Sequence, residues 1–175
     1  PVTSVKVSPV TVYTGKTAKI KVTVSPKTAS NKAVTYTSSN RKVATVTSTG
    51  VVKGIKPGTA YITVKAKDGS GKYARCKVTV KAQKATAVKL STTKAYIAKK
   101  GASTKVKATL YPSNVYSKYI TVKSYNTKVV KVMTSKIASG KYATLKGLKK
   151  GSASVRFTAA DGSKKSATCK VTVKK

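Results

Sequence analysis

The sequence repeats itself once, and this repeat limits how a chain of 175 residues can be divided into domains. Residues 76–80 read CKVTV, and residues 169–173 read CKVTV again, 93 positions later. Asp-Gly-Ser recurs at the same offset, at residues 68–70 and 161–163. Repetition over a length typical of small domains indicates one folding unit per copy. We therefore predict two homologous domains in tandem, residues 1–82 and residues 83–175.

The offset between the two copies changes along the chain, and the changes locate insertions. Near the start of each copy Pro26 corresponds to Pro112, at an offset of 86. The second copy therefore has about seven extra residues between Val132 and Gly147. About three more extra residues precede Gly101.

Apolar and polar residues alternate through most of each copy. Every second residue of 17–24 and of 73–80 is apolar, and the residues between them are polar. This period of two is typical of antiparallel strands that bury one face. Asp-Gly pairs between such stretches are strong hairpin signals. We predict an all-β fold with about seven short strands in each copy, arranged as an antiparallel sandwich.

Chemically active residues are scarce, which excludes most sites. The chain has no His, and its only carboxylate side chains are Asp68 and Asp161, which we interpret as hairpin-turn residues. We therefore predict no metal site and no cofactor. Cys76 and Cys169 occupy the same inward position of different copies, so we expect two buried free thiols. A Ser–Lys dyad is compatible with the composition, but no nucleophile motif is visible, and we predict no enzymatic activity.

The charge of the chain is its main functional signal. It has 38 Lys and Arg against 2 Asp and Glu, a formal net charge of +36. Such a charge attracts polyanions in a salt-dependent way, and it strains the folded state by self-repulsion. Only three of the cations are Arg, and Lys is less suited to bidentate recognition. We therefore expect nucleic acid to bind only non-specifically.

A series of motifs in the first copy carries a family resemblance. In chain order they are Val5-Lys6-Val7, Gly15-Lys16-Thr17, Val34-Thr35-Tyr36-Thr37-Ser38-Ser39-Asn40, Val43-Ala44-Thr45-Val46, Gly50-Val51-Val52-Lys53-Gly54 and Pro57-Gly58-Thr59. This copy resembles the bacterial immunoglobulin-like domain, group 2, which also occurs in intimin- and invasin-like adhesins. The resemblance implies two tandem immunoglobulin-like β-sandwich domains, an extracellular location and roles in adhesion and spacing, with no catalytic activity.

One group of residues is the candidate binding site. By strand alternation, four side chains of the second copy should face outward, with two more in the loop 112–118 between the strands. The group consists of Tyr111, Tyr116, Lys118, Tyr119, Lys123 and Tyr125. Exposed aromatic rings can stack on sugars, and neighbouring Lys can hold carboxylates or phosphates. The alternative is cross-strand Tyr packing that only stiffens the sheet.

Three functions are compatible with these features. The first is a non-catalytic extracellular spacer and adhesion segment, secreted or attached to a bacterial surface, whose basic surface binds anionic cell-wall or host polymers. The second is a carbohydrate-binding module that recognises an acidic polysaccharide through the Tyr/Lys face of the second domain. The third is a purely structural spacer. The chain has no apolar run long enough to span a membrane, so we expect no transmembrane segment. Because it begins at Pro1, we expect it to be a segment of a larger multidomain protein. We expect this segment to be a monomer.

Overall fold

Strands make up the regular structure of residues 1–174, which are the residues that this computed structural model describes. They divide into unit 1, Pro1–Gln83, and unit 2, which begins at Lys84. Each unit has a separate apolar core, built from the inward residues of its strands. The predicted all-β fold of two tandem domains is confirmed.

Unit 1 contains nine strands among its described residues. They are β1 (Ser4–Val7), β2 (Val10–Tyr13), β3 (Thr17–Lys19), β4 (Val22–Ser25), β5 (Val34–Ser38), β6 (Ala44–Val46), β7 (Val51–Gly54), β8 (Gly58–Ala66) and β9 (Tyr73–Lys81). One layer is a four-stranded sheet in the order β2-β9-β8-β5. The other layer consists of two small sheets, β1-β4 and β3-β7-β6.

Unit 2 repeats this plan with nine strands in the part that the structure describes. They are β10 (Ala87–Leu90), β11 (Lys94–Ile97), β12 (Ser103–Tyr111), β13 (Tyr119–Ser124), β14 (Val130–Val132), β15 (Lys136–Ala138), β16 (Lys141–Gly147), β17 (Gly151–Ala159) and β18 (Ser166–Val173). A four-stranded sheet, β10-β12-β16-β14, faces a five-stranded sheet, β11-β18-β17-β13-β15.

Each unit has two strands more than the predicted seven. One is added because the first strand of each unit is divided between the layers, and the other comes from the division of 17–24 in unit 1 and from β15 in unit 2. In unit 1, β1 pairs with β4, and β2 then crosses to pair with β9. Most strand pairs are antiparallel, as the alternation predicts, but the β2–β9 pair and its counterpart β11–β18 are parallel. Sequence alternation does not report which neighbour a strand has.

The stretch 17–24, whose alternation suggests one strand, is two strands in the structure. Its inward residues keep their predicted face, but pairing is interrupted at Ile20 and Lys21. In unit 2 the corresponding strand β12 is continuous, because β16 pairs with it from Ser103 as far as Ala108. In unit 1 the shorter β7 pairs with β3 on this side and does not reach β4.

The two Asp residues form the predicted turns and also hold the start of each unit. The Oδ1 atom of Asp68 accepts hydrogen bonds from the amide and hydroxyl of Ser70, at 3.1 and 2.6 Å. Its Oδ2 atom accepts the amide of Val2. Asp161 repeats this arrangement with the amides of Ser163 and Ala85. Each carboxylate therefore joins a hairpin turn to the first residues of its own unit.

Both thiols are buried and free, as predicted. The Sγ atom of Cys76 donates to the carbonyl oxygen of Ser8 at 3.1 Å. Burial raises the pKa of Cys76 and of Cys169. Because the thiolate is the reactive form, both thiols are unreactive in the folded protein.

Candidate functional site

The structure divides the predicted Tyr/Lys group between the two layers of unit 2. Tyr111 ends β12 in the four-stranded sheet, whereas Tyr119, Lys123 and Tyr125 lie on or directly after β13 in the five-stranded sheet. The prediction that all four tyrosines share one side is therefore wrong for Tyr111. The loop 112–118 crosses from one layer to the other, so the strands that it joins have outward faces on opposite layers.

The remaining two residues of the group lie in that loop. Tyr116 is exposed. The backbone carbonyl of Lys118 accepts a hydrogen bond from Ser139 at 2.7 Å, while the Lys118 side chain is exposed. Neither side chain has a ring contact with the tyrosines on β12 or β13 among those found in residues 1–174.

The five-stranded sheet does bring part of the predicted group together. The Nζ atom of Lys123 lies 5.8 Å from the ring centre of Tyr125, and the guanidinium of Arg156 lies 5.2 Å from the same ring. Lys123 and Arg156 are cross-strand neighbours on β13 and β17. At one edge of the same sheet, Lys136 lies 4.5 Å from the ring centre of Tyr119.

Other tyrosines of unit 2 are also paired with lysines. Lys89 lies 4.6 Å from the ring centre of Tyr111, on the four-stranded sheet. Lys174 lies 5.4 Å from the ring centre of Tyr96 on β11. Lysines here contact aromatic faces, an interaction worth about 0.5–1 kcal/mol at exposed sites. Cations therefore lie beside Tyr rings on both outer faces of this unit.

Unit 1 has a similar surface that the sequence analysis missed. The outer face of its four-stranded sheet exposes Tyr13, Tyr61 and Tyr73. Each is directly opposite a lysine on the neighbouring strand, and the pairs are Tyr13 with Lys81, Tyr61 with Lys77 and Tyr73 with Lys65. The available signal was strand alternation, which already assigns Tyr73 to the outward face. Tyr and Lys are thus cross-strand neighbours in unit 1 as well, although the cation–ring contacts found among residues 1–174 all lie in unit 2.

The electrostatics of these faces follow from the positions of the two carboxylates. Hydrogen bonds from the Ser70 hydroxyl and the Val2 amide lower the pKa of Asp68 to about 2. Burial raises the pKa of Asp161, but hydrogen bonds from Ser163 and Ala85 outweigh this, and the net shift is downward. Both carboxylates are already engaged by turns. The cations of the outer faces therefore have aromatic rings as neighbours in place of carboxylates.

The carboxylate pKa values predict an unusual pH dependence of stability. Because the folded-state pKa of Asp68 lies below its usual value of 3.8, its contribution to stability is present above pH 3.8. That contribution is lost as the pH falls through about 2. The chain has no His, so no side chain titrates near its usual pKa between pH 5 and neutrality. Chemical denaturation at a series of pH values should therefore give a constant free energy of unfolding down to about pH 4 and a decline below it.

A matched variant isolates the cause of this decline. Asp68→Asn combined with Asp161→Asn removes both titrating groups, so the acidic decline should shrink while the neutral plateau persists at a lower level. A steep loss of stability already between neutrality and pH 5 would contradict the assignment, since no side chain of this sequence accounts for it.

The described residues offer no metal centre. Residues 1–174 contain no group of three or more His, Cys, Asp or Glu side chains that could hold a metal ion. They also contain no helix with the length and apolar character that crossing a membrane requires. The clefts of unit 1 are lined mainly by Lys, Tyr, Thr and Val.

Comparison with known proteins adds the family. The profile of the bacterial Ig-like domain (group 2) matches residues 1–78 and again residues 84–171. The chain belongs to this family. Bacterial Ig-like domains of group 2 are generally non-catalytic accessory modules. The resemblance predicted from the motifs of unit 1 is confirmed, and it extends to unit 2.

Curated relatives of this pair of group 2 domains include large enzymes. A kappa-carrageenase of Pseudoalteromonas carrageenovora is 52% identical over 58 residues, which are 33% of this chain and 15% of the enzyme. A 3-O-alpha-D-galactosyl-alpha-L-arabinofuranosidase of Bifidobacterium longum is 41% identical over 66 residues, 38% of this chain and 6% of the enzyme. The chain therefore spans only a small part of the length of these relatives.

Solved structures with a similar arrangement of strands include a surface-layer protein. Domains 4 and 5 of the S-layer protein SbsC match with 24% sequence identity and a TM-score of 0.46. The match covers 99% of this chain and 99% of that one.

Proposed function

We propose that this chain is a non-catalytic extracellular module that holds anionic polysaccharides or cell-wall polymers on its basic outer faces. The observation that carries this proposal is the repeated pairing of exposed Tyr with Lys or Arg on both units. Such pairs spread the positive charge over several faces and do not build a single pocket. A polymer of regularly spaced negative charges can contact several of these faces at once, and a small ligand cannot.

The cations are distributed over several faces, which favours diffuse binding of an anionic polymer and not recognition of one particular sugar. In unit 2, a cation lies over each of the rings of Tyr96, Tyr111, Tyr119 and Tyr125. Binding of this kind weakens with salt, because exposed charges are screened beyond about 8 Å at physiological ionic strength. Two relatives act on carbohydrates according to their names, and this favours polysaccharides over other polyanions as the natural ligand.

A second candidate is a defined carbohydrate site on the five-stranded sheet of unit 2. The specific observation in its favour is the Lys123–Tyr125–Arg156 cluster, the densest part of the predicted group. Recognition of a sugar by this cluster would persist in salt and would depend on the Tyr ring. The experiment below separates the two candidates.

The test compares two triple variants that remove equal charge from opposite layers of unit 2. One is Lys123→Gln with Lys136→Gln and Arg156→Gln, and the other is Lys89→Gln with Lys107→Gln and Lys131→Gln. Affinity for kappa-carrageenan, pectin and duplex DNA is measured at several salt concentrations, with starch as an uncharged control. We expect both triple variants to weaken binding to all three polyanions. With DNA, the slope of log affinity against log salt should fall by about one for each cation that contacts phosphate.

The outcomes separate the candidates clearly. Loss of binding from the first triple variant alone, together with loss in Tyr119→Ala plus Tyr125→Ala, supports the defined site and contradicts diffuse binding. Equal loss from both triple variants, with no effect of the Tyr changes beyond stability, supports the first candidate. No binding of any polyanion at physiological salt would contradict the first candidate and would favour the purely structural spacer.

A further inference from the structure

The two units differ at one flank, where unit 2 carries its extra residues. Residues 133–140 of unit 2 cross the gap between the two layers and contribute β15. The amide of Val122 on β13 donates to the carbonyl of Ser135 at 2.8 Å. On the opposite layer, the amide of Gly140 donates to the carbonyl of Ala108 at 2.8 Å. This segment therefore closes the flank of unit 2 with backbone hydrogen bonds to both layers.

The segment also contributes to the core of unit 2. Ile137, at the centre of β15, is only 5% exposed and lies opposite Ile120. The hydroxyl of Ser139 accepts the amide of Leu110 on β12 at 2.8 Å. The flank is thus filled by one apolar side chain and by polar groups that satisfy the strand edges.

Unit 1 has no such segment, and its strand edges on this flank are open. The strand β5 corresponds to β13 and forms the end of its sheet, pairing only with β8. The strand β4 pairs only with β1. Among residues 1–174, no strand takes the place in unit 1 that β15 takes in unit 2.

The open edge of β5 can be assigned residue by residue. The carbonyl of Ala33 accepts the amide of Lys67, and the amide of Ser39 donates to Tyr61, both at 2.9 Å. In an antiparallel pair, residues alternate between hydrogen-bonding toward the neighbour and away from it. The backbone groups of Val34, Tyr36 and Ser38 therefore point away from β8. Tyr36 corresponds to Val122, whose amide binds Ser135 in unit 2.

Space for an added chain lies along this edge. A cleft of about 520 Å³ is lined by Lys19, Ile20, Lys21, Val22, Tyr36 and Thr49. A second cleft of about 200 Å³ is lined by Tyr36, Thr37, Ser38, Arg41 and Val46. The Tyr36 side chain lines both clefts. The cleft that contains Val22 and Tyr36 thus contacts both layers, as residues 133–140 do in unit 2.

We propose that the open flank of unit 1 binds an extended acidic peptide segment, which adds to β5 as a strand in the place that residues 133–140 take in unit 2. Strand addition draws its affinity from backbone hydrogen bonds and its specificity from alternate side chains. This activity is separate from the binding of anionic polymers proposed above.

The charge of the flank selects the kind of segment. Lys19, Lys21 and Arg41 line the clefts, and both carboxylates of the chain are engaged elsewhere. A second copy of this chain is a poor occupant, because it brings a net charge of +36 toward an equally basic surface. A segment with an apolar residue at the position of Ile137 and acidic residues beside it matches both the inward cleft and its basic rim.

The test uses a synthetic peptide built on the segment that fills unit 2. It has the sequence of residues 133–140 with Thr134→Glu and Lys136→Glu, which places acidic groups at exposed positions. The peptide is titrated at physiological salt into the isotopically labelled 175-residue chain. We expect the amide resonances of Val34 and Tyr36, the equivalents of Ile120 and Val122, to shift and their hydrogen exchange to slow. The amide of Val122 is the internal control and should not change.

Two controls distinguish strand addition from simple charge attraction. A peptide with the further change Ile137→Pro keeps the charge but loses an amide and the apolar anchor, and it should bind at least about tenfold more weakly. A chain in which residues 47–50 are replaced by the sequence of residues 133–143 fills its own flank, so it should not bind the peptide and should unfold at a higher temperature. Equal binding of both peptides, or undiminished binding to the filled chain, would overturn the proposal while leaving polymer binding untouched.

Discussion

Phe157→Ala should be the most damaging single core substitution in unit 2. Phe157 is the only phenylalanine of the chain, and it is fully buried on β17. Truncating a buried Phe costs about 3–5 kcal/mol, because the lost contacts leave a cavity that the surroundings fill only in part. A loss of this size lowers the melting temperature of a domain of this length by about 4–8 °C for each kcal/mol.

The buried thiols allow this effect to be measured in each unit separately. Cys169 belongs to the core of unit 2 and Cys76 to that of unit 1, so a neutral alkylating reagent reaches each thiol only after its own unit opens. We expect Cys169 in Phe157→Ala to be labelled about a hundredfold to a few thousandfold faster, since each 1.4 kcal/mol is a factor of ten. The labelling of Cys76 should stay unchanged.

The repeat supplies a matched control for this substitution. Val64 occupies the equivalent position in unit 1 and is also fully buried. Val64→Ala removes two methyl groups where Phe157→Ala removes a ring, so it should accelerate the labelling of Cys76 by a smaller factor and leave Cys169 unchanged. Equal acceleration of both thiols by Phe157→Ala would contradict the separation of the two cores.

Gly54→Ala is the second substitution with a large expected effect, and it acts on unit 1. A Cβ atom at Gly54 would lie 2.8 Å from the carbonyl oxygen of Tyr13 and 2.9 Å from Val80. The backbone of the β2 end must then move, and overpacking of this kind costs about 1–3 kcal/mol. The labelling of Cys76 should accelerate by about fivefold to about 150-fold.

The equivalent glycine of unit 2 tests the physical reason. The atoms nearest to a Cβ atom at Gly147 would be side-chain atoms of Ile97 and Val173, at 3.0 and 3.1 Å. Side chains shift more easily than backbone, so Gly147→Ala should cost less than Gly54→Ala. The opposite order would show that the approach of the Tyr13 carbonyl does not govern the choice of glycine.

The sequence predicts the fold well because most of the relevant signals are local. Alternation assigns the inward residues of β8 and β9 without knowledge of their neighbours. The Asp-Gly pairs locate the hairpins, and their recurrence at a constant offset locates the second domain. The inward, buried positions of Cys76 and Cys169 follow from the same alternation. In each case the property depends on residues that are close together in the chain.

The candidate site is less well predicted because it depends on contacts between distant residues. Tyr111 and Tyr119 are separated by one short loop, yet their strands belong to opposite layers. Tyr111 belongs to one layer because β12 pairs with β10, and Tyr119 belongs to the other because β13 pairs with β17. The alternation of apolar and polar residues within β12 or β13 does not reveal these pairings. For the same reason the pairs of Tyr13, Tyr61 and Tyr73 with lysines were missed, since their registers join different strands.

The insertion in unit 2 shows a further limit of prediction from sequence. The offset change between Val132 and Gly147 counts the extra residues correctly. The pairing of β15 with β13, and the extension of β16 along β12, emerge only in three dimensions. The open flank of unit 1 is recognised by comparison with unit 2, where residues 133–140 fill the corresponding place.

The parallel pairing of β2 with β9 has a mechanical consequence. The strand β2 lies near the start of unit 1 and β9 at its end, and both run in the same direction. Tension that pulls the two ends of the unit apart therefore slides these strands along each other and loads their hydrogen bonds together, instead of peeling them apart one at a time. The pair β11–β18 gives unit 2 the same protection. A chain built in this way resists extension at the terminal strands of each unit.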